Sequence, residues 1–310
     1  MTIAIIGTGG VGGYFGAKLA KTGYNVKFLA RGKNLEVLQN NGLKIKSFKG
    51  NFELKTVFAT DTFSELGQPD LVILAVKAWQ IRTIVHEING ILHENSIILP
   101  LQNGILASDE LAQVIDRKHI IEGFCRIMSE IESPGVISHT AIEPTITFGE
   151  TDNSKSVRIL KIKEIFDNAD IRSVISEDIQ ADLWRKFNAI CVSGLLAVTQ
   201  SSYGEIGEIP ETRQMMIELM NEIFAVSQKI GLKIEPDFVQ KTVAYTDTLP
   251  YESTSSMSRD ILSGKPSEIE YQNGTVVKLG ERYGVQTPIN KFVYHSILPM
   301  EKRARKSLEK

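Results

Sequence analysis

Four places in the sequence carry residue types whose spacing suits chemistry. The first is the run Gly7, Thr8, Gly9, Gly10, Val11 and Gly12. In the spacing GxGxxG, the first glycine permits a tight turn, the second lets backbone approach a pyrophosphate, and the third lets a helix pack closely on a strand. A glycine-rich turn without a ligand is the competing explanation, but here TIAIIG precedes the motif as a strand and apolar residues at helical spacing follow it. That context favours dinucleotide binding, with the phosphates at a helix N-terminus. The second place is YNVKFLARGKN, a strand that ends on Arg31 with Lys33 nearby. NAD-binding turns commonly carry Asp or Glu there to meet a ribose hydroxyl, whereas a guanidinium pairs with a 2′-phosphate, so NADPH is expected over NADH. A solvated basic turn is the alternative. The third place is a matched pair: DLVILAVKAWQ and NSIILPLQNG end two buried-strand patterns on Lys77 and Asn103. In an open parallel sheet that edge binds ligands, although singly Lys77 reads as a surface lysine and Asn103-Gly104 as a turn. The fourth is Lys186 in DIQADLWRKFNAI. On a helical wheel Ile179, Leu183, Phe187 and Ile190 share one face, and Lys186 lies at its margin, about 60° from Leu183. That position, neither centrally buried nor freely solvated, fits a lysine laying its stem on the core with its ammonium in water, and leaves another role equally open.

These residues need a scaffold to position them. The 310 residues, 42% apolar and 23% charged, are those of an ordinary globular chain with room for two domains. A net charge of −2 gives no reason to expect nucleic acid or an anionic membrane as partner, so a small molecule is the expected ligand. Cys125 and Cys191 stand far apart without metal-ligand spacing, and the five histidines form no i, i+3 or i, i+4 pair, so neither disulfide nor metal is expected. The N-terminal apolar run is too short for a membrane span and lacks the marks of a signal peptide, which predicts a cytoplasmic protein.

Along the chain, 43–60 alternates like a hairpin turning at Gly50-Asn51, and 135–150 reads as two further short strands. SVRILKIKEIFDNAD reads as a helix and IRSVIS as a last strand. After Ser176 helices dominate: 210–231 has proline in its first turn and glycine at its end, and SEIEYQNGTVVKLGERYG and NKFVYHSILPMEKRARKSLEK follow with similar periodicity. The expected domains are 1–176 and 177–310.

In this order and over nearly the whole chain, GTGGVG, VKAWQ, LQNG, LWRK, SSMSRDI and EIEYQNG resemble the ketopantoate reductase (2-dehydropantoate 2-reductase) family. The resemblance implies an α/β Rossmann-type N-terminal domain, an all-α C-terminal domain and an active site in the cleft between them. It implies NADPH-dependent reduction of 2-dehydropantoate to (R)-pantoate, a step toward pantothenate and coenzyme A. The family's catalytic lysine falls on Lys186. Charge grows on the carbonyl oxygen as hydride arrives, and an ammonium in reach stabilises it and supplies the proton. Glu268 matches the family's conserved acid, which contacts substrate or cofactor and holds the catalytic geometry. A helix N-terminal glutamate is the plainer account of Glu268, while Ser267 and Glu270 are expected to form a capping box of their own. Ser256 matches a substrate-binding serine, with a helix-start serine as the plainer account. Asn103 matches a residue where nicotinamide and substrate meet.

The chain also departs from the family pattern. Asparagines expected four and eight residues after the lysine are Ile190 and Gly194, and two more family asparagines match Gly204 and Ser253. Asn188 points about 200° away from Lys186 and cannot replace the first. The expectation is therefore a pocket altered more than its machinery, with Ile190 and Gly194 lining the same edge as the lysine. A reductase of another branched 2-oxo acid is the alternative, and a non-catalytic NADPH-binding sensor ranks last. An exposed apolar helical face in the second domain leaves a homodimer open.

Overall fold

The structure, a computed structural model, describes residues 1–308. The chain divides into two compact units, Met1–Gln102 with Leu106–Ile179, and Asn103–Ile105 with Gln180–Lys310. The first begins with β1 (Thr2–Ile6), α1 (Gly10–Lys21), β2 (Asn25–Leu29), α2 (Gly32–Asn41), β3 (Leu43–Ser47), β4 (Phe52–Leu54) and β5 (Phe58–Thr60). It continues with β6 (Leu71–Leu74), α3 (Ile81–Gly90), β7 (Ile97–Pro100), α4 (Ala107–Leu111), β8 (Glu122–Ser133), β9 (Val136–Gly149), α5 (Val157–Asn168) and β10 (Arg172–Ile175).

Five of these strands form a parallel sheet in the order β5-β2-β1-β6-β7. With β1 central, its alternate residues enter two different cores. Ile3 and Ile5 pack with Tyr14, Phe15 and Leu19 of α1, while Ala4 and Ile6 pack with Ile81, Ile84 and Ile88 of α3. That two-sided burial explains why TIAII is a continuous apolar run rather than an alternating one. The strand order reverses between β1 and β6, which makes their carboxyl ends the switch point of the sheet.

A second sheet has the order β10-β9-β3-β4, with β8 on β9. The expected hairpin forms only between β3 and β4; residues 58–60 leave it and run parallel to β2 instead. The two short strands expected over 135–150 are one strand, β9. β8 takes one edge of it along its length, and β3 and β10 share the other. Ile142, in the left-handed region at φ 54, falls between the β3 and β10 pairings.

The second unit consists of α6 (Ile179–Thr199), α7 (Tyr203–Glu208), α8 (Pro210–Ile230), α9 (Phe238–Thr246), α10 (Ser256–Leu262), α11 (Asn273–Tyr283) and α12 (Pro288–Leu308). Helix α8 starts on Pro210 and stops at Gly231, which is left-handed at φ 93. Its Met216, Leu219, Met220, Ile223 and Val226 pack with Trp184, Phe187, Leu195, Val293 and Ile297. Burial of each such side chain contributes about 1.5–3 kcal/mol, which holds α6, α8 and α12 together. A buried polar relay adds direction. The Asn273 amide donates to Cys191 O at 3.1 Å and to Asn290 Oδ1 at 2.9 Å, and Asn290 donates to Glu222 at 2.7 Å. Four helices are thereby fixed in register.

Helix α11 begins at Asn273, later than the periodicity from 267 suggests. The capping box expected of Ser267 and Glu270 does not form. Ser267 donates to Glu301 at 2.6 Å, and Glu270 pairs with Lys278 at 2.6 Å.

Candidate active site

In the first unit, β1 pairs Ile6 with Leu29 of β2 and with Leu74 of β6. Gly7, Arg31 and Lys77 therefore all leave the sheet at one edge. Gly7 has φ +100, and a Cβ there would lie 2.7 Å from the Val76 nitrogen. On Gly12 a Cβ would lie 2.1 Å from Gly7 O, and on Gly10 2.4 Å from Ser129 O. Gly9 is different: it is the N-cap of α1 and faces open space. The first turn of α1 has neither an acidic residue nor a side-chain cap. Backbone N–H groups with an open approach and no competing carboxylate suit a pyrophosphate.

Val11 is partly buried in the first turn of α1, and Thr8 is buried with its hydroxyl on Leu29 O at 3.0 Å. Asn34 donates to Thr8 O at 3.2 Å and accepts from the Gly135 N–H at 2.9 Å, tying the turn to β9's approach. No sequence signal singles out Asn34, because its partners are distant in the chain. Arg31 is the exposed N-cap of α2, with Lys33 exposed beside it. Lys77 precedes a short 3₁₀ turn, Ala78–Gln80, and its N–H donates to Gln80 Oε1 at 3.1 Å. Its ammonium stands 5.9 Å from the centre of the Trp79 ring. Gln102 donates to Leu74 O at 3.0 Å and Val76 O at 3.2 Å, bracing the chain where it leaves β6.

In the second unit, three sequence-distant residues meet. Lys186 Nζ donates to Asn103 Oδ1 at 2.9 Å, and Asn103 Nδ2 donates to Glu268 Oε2 at 3.3 Å. The carboxamide thus presents oxygen to the cation and nitrogen to the anion, which fixes its orientation. Lys186 is only 8% exposed and Glu268 only 4%, so Lys186 is not a lysine with its ammonium in bulk water. Glu268 is not a helix N-terminal residue either, since it lies in the turn before α11, where its carbonyl accepts from the N–H groups of Tyr271 and Gln272, each at 3.0 Å. Gly104, at φ +103, passes this turn so closely that a Cβ would lie 3.0 Å from Tyr271 O. Beside Lys186, Arg185 donates to Glu235 at 2.7 Å and to Asp182 at 2.8 Å, anchoring the start of α6. The Arg185 hydrogen bond holds the Glu235 carboxyl below its usual range. Ser256 is the exposed first residue of α10, and the cap is Ser255, so capping does not account for Ser256.

The departures from the family pattern separate into two kinds. Ile190 is partly buried at the margin of the helical core. Gly194 does not line a ligand surface as expected: a Cβ there would lie 2.4 Å from Asn273 Oδ1 and 2.5 Å from Val293 Cγ1. It is a close-packing position of α6. Gly204 is likewise covered, with the Tyr251 ring 2.4 Å from a Cβ position, and the Ser253 carbonyl accepts from the Tyr203 N–H at 2.9 Å. Asn188 turns inward and donates to Met220 O at 2.9 Å. Among the described residues no group of three or more His, Cys, Asp or Glu could hold a metal, and no helix is long and apolar enough to cross a membrane.

A Rossmann-type parallel sheet with a glycine turn at its switch point, followed by a helical unit with a buried lysine–asparagine–glutamate chain, is the plan of an oxidoreductase. The family model described as ketopantoate reductase PanE/ApbA matches residues 3–153, and its C-terminal counterpart matches 178–301. The chain belongs to the ketopantoate reductase family. It is 31% identical over 309 residues to a 2-dehydropantoate 2-reductase of Nostoc sp. (strain PCC 7120), covering 97% of this chain and 96% of that one. It is 30% identical over 300 residues to the uncharacterized oxidoreductase YkpB of Bacillus subtilis (strain 168), covering 96% and 98%. The crystal structure of 2-dehydropantoate 2-reductase from Geobacter metallireducens GS-15 matches with TM-score 0.89 at 29% identity, covering 98% of this chain and all of that one.

Proposed function

We propose that the protein is an NADPH-dependent reductase that converts 2-dehydropantoate to (R)-pantoate, a step toward pantothenate and coenzyme A. The observation that carries this reading is the buried Lys186–Asn103–Glu268 chain. Bound NADPH supplies the hydride. Gly7, Thr8, Gly9, Gly10, Val11 and Gly12 would hold its pyrophosphate, and Arg31 would meet the 2′-phosphate where an NAD enzyme carries a carboxylate. Lys77 and Asn103 would border the nicotinamide. Lys186 donates to the carbonyl oxygen of the substrate, stabilises the charge that develops there, and passes a proton to it. An ammonium has three donors, so the bond to Asn103 does not by itself exhaust it. Glu268 keeps the Asn103 amide turned so that its oxygen faces the lysine, and Ser256 would bind the substrate's polar groups.

A second reading, a reductase of another branched 2-oxo acid, is supported by Ile190, an apolar residue one helical turn beyond the lysine where the family carries asparagine. A binding protein without catalysis is disfavoured, because Lys186 and Glu268 share one buried hydrogen-bonded chain through Asn103, the residues this reading needs as proton donor and acid. Steady-state oxidation of NADPH with 2-dehydropantoate and a panel of branched 2-oxo acids tests the proposal. A specificity constant at least about tenfold higher for 2-dehydropantoate supports the first reading, since tenfold corresponds to about 1.4 kcal/mol of transition-state discrimination. A higher constant for another acid supports the second, and no turnover with any of them refutes both.

A further inference from the structure

The first unit carries a second basic concavity apart from the glycine turn. A cavity of about 170 Å³ lies on the flank of α1, between the β3–β4 turn and the turn joining α5 to β10, and Lys18, Lys21, Lys49, Glu143 and Asp170 line it. That is roughly ten times the space one water needs. Tyr14 and Phe15, 4% and 1% exposed, form its inner wall. Lys18 follows Gly10 by eight residues, about 12 Å along the helix, so the cavity does not belong to the pyrophosphate site proposed above.

Its rim is held from beneath. His139 is buried against the rings of Tyr14 and Phe48, each 4.8 Å away. Its Nε2 is 3.0 Å from Ile142 O, which can only accept, so Nε2 carries hydrogen and Nδ1 of the neutral ring accepts from the Ser47 hydroxyl at 2.8 Å. The Lys49 N–H donates to the same hydroxyl oxygen at 3.1 Å, and the Ser47 N–H donates to Asn51 Oδ1 at 2.8 Å. A buried imidazole thus pins the turn that carries Lys49, while the Lys49 ammonium stays at the rim, paired with Glu143. Lys21 Nζ lies 4.7 Å from the centre of the Phe52 ring.

Asp170 differs from its neighbours. Its side chain is 92% exposed, yet its carboxylate meets Nζ of Lys18, a side chain only 17% exposed, at 2.6 Å. The hydrogen bond from Lys18, and then the charges of Lys18, Lys49 and Lys21, hold that carboxyl below the ordinary carboxylate range. Three lysines therefore share one anion, carried on a side chain that solvent surrounds. A surface pair of this kind is worth no more than about fivefold in an equilibrium constant, so a free anion of higher charge can displace it. With Asp170 turned away, three ammoniums face the one carboxylate of Glu143. That excess of positive charge matches a phosphate monoester, which carries about −1.5 to −2 near neutral pH. A simple carboxylate would leave it half answered.

We propose that this cavity binds a small phosphate monoester, with the phosphate among Lys18, Lys21 and Lys49 and a short organic tail against Phe15 and Phe52, and that Asp170 holds the place as a tethered anion until the ligand arrives. The site is independent of the reductase reading above.

The test is a calorimetric titration with glycerol 3-phosphate at constant ionic strength. The unmodified protein is expected to bind it, and the pair Lys18→Met and Lys49→Met, which keeps the apolar stems, should weaken binding by about tenfold or more, the range of a hydrogen bond to a charged group. Asp170→Asn removes the competing anion and retains a residue type that tolerates φ 50, so it should tighten binding by about twofold to fivefold. A merely structural role for Asp170 would weaken it instead. In Arg31→Asp, which removes the phosphate partner proposed for the cofactor, the affinity should persist. Equal affinity in the lysine variant, weaker binding in Asp170→Asn, loss of binding in Arg31→Asp, or no binding by the unmodified protein overturns the proposal. Asp170→Asn decides the matter if the lysine variant melts early.

Discussion

The proposed reaction gives Lys186 and Arg31 two different uses of a cation. In the proposed reaction the charge that Lys186 answers exists mainly in the transition state, so Lys186→Met should lower kcat by about 10²–10⁴ while the NADPH dissociation constant, read by fluorescence titration, changes little. Near-normal turnover in a folded variant would leave the lysine a structural partner of Asn103. In the same proposal Arg31 answers a charge present in the ground state. Arg31→Asp should raise the Michaelis constant for NADPH strongly and that for NADH much less, and an equal loss with both would remove the phosphate role. The positions of both were legible in the sequence, Lys186 at the edge of an apolar helical face and Arg31 just past the end of a strand. Asn103 was legible as a strand-end residue. Glu268 was singled out only by family resemblance, because a glutamate near a helix start has an ordinary explanation. Asn34 and the Arg185–Glu235 pair were not legible, since each depends on partners 26 to 101 residues away.

Helix α6 separates two substitutions that sequence alone treats as equivalent. Gly194→Asn would force a side chain into Asn273 and Val293, and overpacking of that kind costs about 1–3 kcal/mol, so thermal unfolding should move to lower temperature. Ile190→Asn sits at the margin of the core, should cost less stability, and should raise kcat/KM for 2-dehydropantoate. No gain there would mean that Ile190 does not border the substrate. The elements that were easiest to read bury a full face or carry end signals: β1 on both faces, and α8 between Pro210 and Gly231. β8 was missed because its outer half, from Arg126 to Ser133, is largely exposed and mixes charges with apolar residues, so no alternation survives. β9 looked like two strands because Ile142, Glu143 and Pro144 interrupt the pattern, although the hydrogen-bonded ladder to β8 continues on both sides.

Across the molecule, acid and cofactor should move stability in opposite directions. Burial raises the Glu150 carboxyl, but Arg158 at 2.6 Å and the Ser156 hydroxyl at 2.5 Å outweigh it, so the folded pKa lies below the ordinary one. Such a group stabilises fully above the unfolded carboxylate pKa, about 4.3, and that contribution is lost as pH falls through the folded value. Glu150→Gln should therefore lower the melting temperature near neutral pH and flatten its decline in acid, which a melting series from pH 7 to pH 3 would read. NADPH at about a hundredfold over its dissociation constant should stabilise the protein by about 2.7 kcal/mol, and NADH at the same concentration should do less. Equal melting shifts would count against the assignment of Arg31.

Asn103, Gly104 and Ile105 belong to the helical unit although the residues on both sides of them belong to the other. For the descent of such proteins this has a consequence. A crossover that replaced everything after Ile179 with a cousin's sequence would import a new lysine and a new glutamate, but the asparagine between them would stay with the recipient. Hybrids would keep the bridge only where both parents already agreed at that position. The short stretch after β7 and the distant helical half are therefore bound to be inherited as a set.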